Sequence, residues 1–366
     1  MIVGIPKEIK DHEGRVALLP EAVAELVRAG HRVLVQRGAG TGSGYPDADY
    51  RRAGAALTAN ARALYSGAQL VVKVKEPLPK EFPYFRPGLR LFCYLHLAAN
   101  PRLVRALQKS RVEALAFETL MVGAATPLLR PMSEIAGRLS VVVGAHFLQT
   151  DQGGKGVLLS PTDFSEGASV VVVGGGSVGR AAAEVAAGMG ARVTVLDLKP
   201  EALAFWARNF PAVKLEASSP ESVGRALRGA DLAVGAVYIP GAKAPKVIRR
   251  AMVKRMAPGS VLVDVAVDQG GASETTRPTS HSHPVYRRYG VIHYAVANMP
   301  ALVSRTASQV LSRAILPYVL QVAEMGRLED LSANRVLKSA VNVAAGEILH
   351  PGVRAAFGDR VAGEAR

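Results

Sequence analysis

The stretch from residue 169 to residue 197 constrains the fold of this chain more than any other segment. It opens with Ser169 and four valines, a β-branched run without a polar face that is typical of a parallel strand covered on both sides. Gly174, Gly176 and Gly179 follow in a Gly-x-Gly-x-x-Gly pattern. That pattern indicates a tight turn, a close backbone approach to a pyrophosphate and close packing of a helix on a strand.

The context of the glycines decides their meaning, because the pattern alone also occurs in ordinary glycine-rich turns. An alanine-rich helix is predicted over 180–189, with Gly190 at its end and its first amides facing the phosphates. A second strand over 192–196 then leads to Asp197, about 20 residues after the glycines. A carboxylate there accepts from the ribose hydroxyls of NAD and repels a 2′-phosphate, although Lys199 would soften that preference. The stretch therefore predicts an NAD site.

Length and composition bound the class of protein. At 366 residues the chain is long enough for two domains, and 49% hydrophobic with 20% charged residues exclude a disordered or fibrous chain. Its start has no long apolar region, and no run of about 18 apolar residues occurs. The single cysteine, Cys93, has no internal disulfide partner, in agreement with a reducing compartment. We therefore expect a cytoplasmic protein without a membrane partner.

The net charge of +15 and the pI near 10.1 raise the question of a nucleic-acid partner. The basic residues occur in small groups, such as Arg249-Arg250, Lys254-Arg255 and Arg287-Arg288, and aromatic residues make up only 5% of the chain. This distribution favours a solvated basic surface that attracts anionic substrates, with no nucleic-acid partner. The histidines at 281, 283 and 293 lack carboxylate or cysteine partners at ligand spacing, so no metal site is expected.

The first part of the chain, residues 1–131, shows its own alternation of strands and helices and is predicted to be an α/β substrate domain. The predicted strands are 2–5, 32–36, 70–75, 89–97 and 112–117, and the predicted helices are 20–30, a stretch after Asp47, and 101–110. Pro77 and Pro79 are expected to stop the strand that ends at Lys75.

A long apolar helix from Pro131, with Ser133 as its N-cap, is expected to join two domains. The NAD-binding Rossmann domain is predicted over 132–304, with further strands at 231–237, 261–267 and 291–296 and a helix near 245–256. Residues 305–366 are predicted to be helical, with Pro317 kinking or dividing a helix, and to return to the first domain. The predicted fold is therefore α/β: a Rossmann dinucleotide-binding domain plus a discontinuous α/β substrate domain with Rossmann-like topology.

Several further stretches, taken in their order and spacing, resemble the alanine dehydrogenases, which are related to the nucleotide-binding component of proton-translocating transhydrogenase. The resemblance covers nearly the whole chain. Besides the glycine turn, it rests on Gly4-Ile-Pro-Lys-Glu-Ile-Lys10, Arg15-Val-Ala17, Val72-Lys-Val-Lys-Glu-Pro77, Tyr94-Leu-His-Leu-Ala98, Pro131-Met-Ser-Glu-Ile-Ala-Gly-Arg138, Gly241-Ala-Lys-Ala-Pro245, Asp264-Val-Ala-Val-Asp-Gln-Gly-Gly271, Glu274-Thr-Thr-Arg-Pro278 and Asn298-Met-Pro300.

The resemblance implies His96 and Asp268 as catalytic residues and Arg15 and Lys75 as substrate-binding residues. The chemistry is consistent, because a 2-oxo acid needs cations for its carboxylate and carbonyl oxygen, and imine exchange needs a group that titrates near neutral pH. Asp268 is expected where the Rossmann sheet faces the crevice between domains, in place to orient ammonia or the carbinolamine. Taken singly, Lys75 and Arg15 are also compatible with surface residues, His96 with a structural histidine and Asp268 with a turn cap.

The resemblance also implies a set of NAD-binding residues around the turn, the ribose and the nicotinamide. They are Ser133, Gly174, Gly176, Ser177, Val178, Gly179, Asp197, Ser218, Val237, Tyr238, Val265, Ala266, Val267, Arg277, Ala297, Asn298 and Met299.

The implied function is that of an NAD-dependent L-alanine dehydrogenase with L-alanine, pyruvate and ammonium as substrates, and the implied assembly is a homo-oligomer, a hexamer by resemblance. The sequence departs from the family pattern at 158–164, at 301–307 and at Val142, which touches turnover rate and substrate range more than fold. Three alternatives stay open: a dehydrogenase for another small amino or 2-oxo acid, a transhydrogenase-like component, and a non-catalytic polyanion-binding protein with the same fold.

Overall fold

The computed structural model of the chain describes residues 1–237, 239, 243–326 and 328–357. These residues divide into two compact units. The first unit comprises Met1–Met132 and the described residues from Ala301 onward. The second unit comprises Ser133–Ile239 and Lys243–Pro300.

The strands alternate with helices along both units. The strands are β1 (Ile2–Ile5), β2 (Arg32–Gln36), β3 (Ala56–Thr58), β4 (Leu70–Val72), β5 (Arg90–Cys93), β6 (Glu113–Ala116), β7 (Ser169–Val173), β8 (Arg192–Asp197), β9 (Lys214–Ala217), β10 (Leu232–Gly235), β11 (Val261–Asp264), β12 (Val285–Arg288), β13 (Val291–Tyr294), β14 (Val341–Ala344) and β15 (Glu347–Ile348). The helices are α1 (Pro20–Arg28), α2 (Asp47–Arg52), α3 (Ala61–Gly67), α4 (Pro101–Lys109), α5 (Arg130–Phe147), α6 (Ser177–Gly188), α7 (Pro200–Asn209), α8 (Pro220–Arg228), α9 (Arg250–Val253), α10 (Ser304–Glu324), α11 (Leu328–Ala333), α12 (Arg335–Ala340) and α13 (Pro351–Phe357).

The sheet of the first unit has the strand order β15-β14-β6-β5-β4-β1-β2-β3. The strands β1 to β6 pair in parallel, and the C-terminal β14 joins β6 in the antiparallel sense. Read from β3 to β6, this is the doubly wound order 3-2-1-4-5-6 of Rossmann folds. Residues 305–366 are predicted to be helical, but this part of the chain also contributes the strands β14 and β15 to the sheet.

The second unit repeats the same order. Its sheet runs β12-β13-β11-β10-β7-β8-β9, and all pairs are parallel except the antiparallel edge pair of β12 with β13. The valine run of β7 is buried on both faces, because Val170 and Val172 pack into one hydrophobic cluster while Val171 and Val173 pack into another. The predicted α/β fold with two Rossmann-type sheets is confirmed.

Several element boundaries differ from the sequence prediction. Helix α5 begins at Arg130, so Ser133 lies inside its first turn and is not the N-cap. Strand β4 ends at Val72, so Lys75 follows the strand by three residues instead of closing it. The reason is visible at Val74, whose amide donates to the carboxylate of Glu8 at 2.6 Å instead of extending the ladder.

Pro317 is predicted to kink or divide its helix, and helix α10 contradicts the division. It is one helix of 21 residues with Pro317 inside it. Its buried residues include Leu311, Ile315 and Val319, which share one face, whereas Pro317 is exposed on the other side. Burial of that continuous apolar face outweighs the one backbone hydrogen bond that the proline removes.

Smaller differences concern the second unit. Helix α6 begins at Ser177, three residues earlier than predicted, and strand β11 ends at Asp264, followed by a 3₁₀ helix over Val265–Gln269. The helix predicted near 245–256 is reduced to α9. In the described part of the chain, no helix has the length and apolar character needed to cross a bilayer.

Candidate functional site

The glycine turn between β7 and α6 is shaped by the chain itself at two of its three positions. Gly174 has a φ of +104°, and a Cβ there would lie 2.7 Å from the carbonyl oxygen of Ala236. A Cβ at Gly179 would overlap the carbonyl oxygen of Gly174. By contrast, a Cβ at Gly176 would meet nothing within 4 Å. The turn therefore leaves open space in front of the first amides of α6, as a bound pyrophosphate requires.

Asp197, at the end of β8, is fixed next to this turn. Its Oδ2 accepts from the amide of Gly175 at 2.6 Å, and its Oδ1 accepts from the amide of Lys199 at 2.7 Å. An ionised carboxylate has about four acceptor positions, so these two bonds leave capacity for ribose hydroxyls. Lys199 contacts the carboxylate through its backbone, while its side chain is exposed. The residues present therefore fit the adenosine ribose of a dinucleotide.

Most of the other predicted cofactor residues follow the carboxyl ends of parallel strands in the second sheet, the edge at which such folds bind ligands. Ser218 follows β9, Val237 follows β10, Val265, Ala266 and Val267 follow β11, and Ala297, Asn298 and Met299 follow β13. Ser177 and Val178 form the start of α6, and Ser133 lies in the first turn of α5. Tyr238 lies outside the described residues. The structure thus places the described members of this set without testing their roles.

Arg277 has a supporting residue that the sequence did not reveal. The guanidinium of Arg277 lies over the ring of Tyr286, 4.5 Å from its centroid, and the Arg277 amide donates to the Tyr286 hydroxyl at 2.9 Å. That hydroxyl in turn donates to the carbonyl of Thr275 at 2.8 Å. Tyr286 therefore fixes both the backbone and the side chain of Arg277.

Asp268 lies half-buried on the 3₁₀ helix after β11. The turn-capping role that was its alternative interpretation is filled by another residue, Asp264. The carboxylate of Asp264 accepts from the amides of Ala272 at 2.9 Å and Ser273 at 3.1 Å, and burial raises its pKa. Asp264 shapes the loop, and no capping bond by the Asp268 side chain is found among the described residues.

Lys75 and His96 meet in the first unit. Lys75 follows β4 and His96 follows the adjacent β5, and Lys75 Nζ lies 3.4 Å from His96 Nε2. Lys75 is 4% exposed, which excludes the surface-lysine interpretation. The His96 ring stacks on Tyr94, with 6.1 Å between ring centroids and an interplanar angle of 14°. A buried lysine thus lies beside a partly buried imidazole.

Arg15 is buried as well, at 2% exposure, and is not a surface arginine. Its Nε donates to Glu13 Oε1 at 2.8 Å and its Nη2 donates to Glu13 Oε2 at 2.6 Å. Burial opposes the guanidinium charge, but the hydrogen bonds to Glu13 and its charge raise the pKa of Arg15. Burial raises the pKa of Tyr94, and the nearby charge of Arg15 opposes part of that increase. Tyr94 therefore interacts with both Arg15 and His96, and His96 contacts Lys75.

Three buried or partly buried carboxylates, those of Glu8, Glu76 and Glu118, lie in the same part of the first unit, and sequence reasoning missed them. Glu76 Oε1 lies 2.5 Å from Lys10 Nζ, and its Oε2 lies 4.0 Å from Lys75 Nζ. Burial alone would raise the pKa of Glu76, but Lys75, Lys10 and His96 together lower it to about 2. Glu8 and Glu76 stand inside quoted motifs, so their neighbours gave a signal. Glu118 stands in no motif that the sequence singled out.

The chain has two Rossmann-type sheets. One carries a glycine turn of the nucleotide-binding type, and the other carries a lysine, a histidine and an arginine. These features define a two-domain enzyme of the nucleotide-dependent dehydrogenase class. The chain belongs to the alanine dehydrogenase/PNT family. The family's N-terminal domain model matches residues 4–136, and its C-terminal domain model matches residues 140–351. The predicted family and enzyme class are confirmed.

Relatives and solved structures agree with this assignment. The alanine dehydrogenase of Bacillus subtilis is 48% identical over 96% of this chain and 94% of its own length. That of Methanococcus maripaludis is 47% identical over 96% of this chain and 95% of its own. A solved L-alanine dehydrogenase has a TM-score of 0.91 at 45% identity and covers 98% of this chain and 99% of its own. Transhydrogenase from Sinorhizobium meliloti has a TM-score of 0.80 at 26% identity and covers 96% of this chain and 99% of its own.

Proposed function

We propose that the protein is an NAD-dependent L-alanine dehydrogenase that interconverts L-alanine, NAD and water with pyruvate, ammonium, NADH and a proton. The observation that carries the proposal is the contact of the buried Lys75 with His96, 3.4 Å between Nζ and Nε2, in a chain whose relatives are alanine dehydrogenases. NAD, when bound, supplies the hydride acceptor. The acceptor properties of Asp197 and the open space at Gly176 support NAD as this cofactor.

The residues of the first unit have separate tasks in this proposal. The cations Arg15 and Lys75 hold the substrate carboxylate and polarise the oxygen of pyruvate. Loss of hydride from Cα to NAD and of a proton from nitrogen to solvent would turn alanine into an imino acid, and this proton is the one released in the overall reaction. His96 takes a proton from the water that adds to the imine carbon, and it returns a proton to the departing ammonia. Asp268 orients the nitrogen, so its carboxylate is proposed as the second catalytic group.

The further proposals rest on the family resemblance. The NAD-binding domain is proposed over 132–304, and the substrate domain over 1–131 with 305–366. The protein is proposed to be cytoplasmic and to form a homo-oligomer, a hexamer by resemblance, which light scattering coupled to size exclusion would measure. Neither a nucleic acid nor a membrane is proposed as a partner.

Oxidation of NADH, followed by absorbance with pyruvate and ammonium, tests the proposed activity. We expect turnover with both compounds present and none when ammonium is left out. Turnover that persists without ammonium would contradict an amino-acid dehydrogenase. Faster turnover with a larger 2-oxo acid would move the substrate away from pyruvate. NADH binding without turnover of any 2-oxo acid would favour a transhydrogenase-like component.

A further inference from the structure

The backbone of His96 has an unusual conformation for its residue type. Its φ of +47° and ψ of +41° lie in the left-handed region, which residues other than glycine adopt rarely. Such a conformation is strained and persists only where the surroundings hold it. The contacts of the His96 backbone are therefore informative about what fixes the direction of its ring.

A single carboxylate, that of Glu118, holds the amide side of this residue. Glu118 Oε1 accepts from the amide of His96 at 2.7 Å, and both carboxylate oxygens lie 3.2 Å from the amide nitrogen of Leu95. On the other side, the carbonyl of His96 accepts from the amide of Ala99 at 3.1 Å. Both peptide groups that flank the His96 Cα are thus hydrogen-bonded, and Glu118 is buried at 7% exposure.

The position of Glu118 in the fold explains how it reaches these amides. Strands β5 and β6 pair in parallel up to Cys93 and Ala116, and the ladder then stops. Beyond it, a 3₁₀ helix over Phe117–Thr119 places the Glu118 side chain where the next backbone acceptor would have been. Without it, the amides of Leu95 and His96 would lose this acceptor.

The C-terminal return of the chain braces this segment. Asn342, on β14, donates from Nδ2 to the hydroxyl of Thr119 at 2.7 Å, directly beside Glu118. The ring of Tyr94 stacks on the His96 ring. The Tyr94 hydroxyl donates to the carbonyl of Leu128 at 2.5 Å, which fixes the Tyr94 ring in turn. The ring is therefore fixed through its backbone by Glu118 and on its face by Tyr94.

We propose that Glu118 is a positioning residue that aims the imidazole of His96 at Lys75 by holding the left-handed backbone conformation of His96. This inference rests on the proposed function, because it assigns the proton transfer to His96. Glu118 makes no step of the reaction itself. Its removal lets the His96 backbone relax and turns the ring away from Lys75, while the groups that hold the substrate and the coenzyme stay in place.

A double-mutant cycle between Glu118→Gln and His96→Ala tests the proposal. The glutamine keeps the size of the side chain but presents an amide group to one of the two donors. We expect Glu118→Gln to lower kcat about 10- to 100-fold in the otherwise unchanged protein, since a misplacement of about 1 Å has effects of this size. In the His96→Ala background, the same substitution is expected to change kcat less than about threefold, because its target is gone.

Glu113→Gln is the matched control. Glu113 stands at the opposite end of the same strand β6 and pairs with Arg90 at 2.6 Å, so its loss removes a partly buried carboxylate from the same sheet without touching His96. We expect it to lower the unfolding temperature and to leave kcat within about twofold. If Glu118→Gln does not fold, Glu118→Asp keeps the charge on a shorter side chain that cannot reach both amides, and the same cycle is expected with it.

The outcomes separate this inference from the proposed function. An unchanged protein without alanine turnover would overturn the proposed function and this inference with it. Alanine turnover in the unchanged protein, together with an equal loss of kcat by Glu118→Gln in both backgrounds, would overturn only the positioning role. A kcat for Glu118→Gln no lower than that of the Glu113→Gln control would also overturn it.

Discussion

Lys73 is a buried cation shared by two carboxylates. Its Nζ lies 2.7 Å and 2.9 Å from the two oxygens of Glu81, but 3.6 Å from the nearest oxygen of Glu8. Tyr65 adds a hydroxyl donor to Glu81 at 2.9 Å. Glu81 is therefore the better satisfied acid, and burial raises the pKa of Glu8 to about 7 against the opposing charge of Lys73.

This raised pKa predicts a pH-dependent stability. A carboxyl group whose pKa rises from 4.5 to about 7 on folding stabilises the folded state below pH 4.5 and loses that contribution as the pH rises through 7. Glu8→Gln removes the titration. We expect the free energy of unfolding of the unchanged protein, relative to that of Glu8→Gln, to fall by about 2 to 3 kcal/mol between about pH 5 and about pH 8.

Urea unfolding of both proteins across this pH range measures the difference. Glu25→Gln is the control, because Glu25 is an exposed acid on α1 whose pair with Arg28 lies at the surface. Its difference from the unchanged protein is the baseline against which the Glu8→Gln difference is compared. A constant difference for Glu8→Gln as well would show that Glu8 is ionised throughout and that Lys73 serves both carboxylates.

Asp197 sets the expected choice of coenzyme. A 2′-phosphate beside its carboxylate would bring like charges together, and the ribose hydrogen bonds would be lost, for a total of roughly 2 to 4 kcal/mol or about 30- to 1,000-fold in favour of NADH over NADPH. Asp197→Ala is expected to weaken NADH binding and to reduce the preference for NADH over NADPH. Asp197 also accepts from the Gly175 amide and so supports the glycine turn. The alanine variant should therefore bind both NADH and NADPH less tightly, in addition to the change in their ratio.

The ratio of kcat/KM for NADH and NADPH at fixed ionic strength is the measurement. Glu201→Ala is the control, since Glu201 is an exposed acid in the first turn of α7, a few residues away. It should leave the ratio unchanged. Equal use of both coenzymes by the unchanged protein, or the same ratio in Asp197→Ala, would show that the carboxylate does not lie on the ribose.

Individual site residues differed in how far the sequence could predict them. His96 and Lys75 stand in recognisable motifs, and the structure places their side chains next to each other. Glu118 and Glu13 act through contacts with particular backbone amides or with one guanidinium. Such contacts depend on where β6 ends relative to β5, or on the path of the loop after β1, and residue type and spacing do not encode them.

At the level of elements, the glycine turn allows two kinds of substitution to be separated. Gly179→Ala places a Cβ against the carbonyl of Gly174, so the backbone of the turn must shift. We expect a loss of about 1 to 3 kcal/mol in stability together with the loss of NADH binding. Gly176→Ala meets no atom within 4 Å and keeps a φ of −70° that alanine adopts readily. We expect it to change stability by less than about 0.5 kcal/mol and to weaken NADH binding at least about tenfold, because its methyl group occupies the pyrophosphate space.

Thermal unfolding and fluorescence titration with NADH measure the two effects in both variants. Each glycine serves as the other's control, since the substitutions are identical and lie three residues apart. Normal NADH affinity in Gly176→Ala would show that the pyrophosphate does not approach this turn. Normal stability in Gly179→Ala would show that the turn relaxes more freely than its packing suggests.

The elements themselves were predictable where local pattern and tertiary packing agree. The valine run of β7 and the pattern around β8 specify buried parallel strands, and both form as predicted. The edge strand β12 and the C-terminal β14 were missed, because an edge strand has weak patterning and β14 depends on pairing with β6, more than 200 residues earlier in the chain. The effect of Pro317 was overestimated because the sequence pattern did not show how α10 packs. The burial of one face of α10 explains why the helix continues through the proline.

At the scale of the whole molecule, the first unit depends on chain segments that are far apart. The hydroxyls of Ser308 and Ser312 on α10 accept from the amides of Val16 at 3.0 Å and Leu19 at 2.9 Å. Strand β14 pairs with β6, and Arg90 donates to the backbone beyond the end of α10. A fragment that ends at Met132 lacks all of these partners. We therefore expect the first unit to require the C-terminal segment for folding.

The second unit, by contrast, is contained in one stretch of sequence, and this leads to the last prediction. A fragment of residues 133–300 includes the whole sheet from β7 to β13, both hydrophobic clusters that cover β7, and every residue proposed to bind NAD. A segment with its own core is expected to fold independently.

We expect the fragment to unfold cooperatively and to bind NADH within about tenfold of the affinity of the full chain. It should show no alanine turnover, because Arg15, Lys75 and His96 are absent. Fluorescence titration with NADH, with the fragment carrying Gly179→Ala as the non-binding control, measures this. A cooperative fold without NADH binding would show that residues of the first unit take part in holding the coenzyme. The absence of a cooperative transition would show that the second unit needs α5 intact, because the boundary at residue 133 cuts this helix.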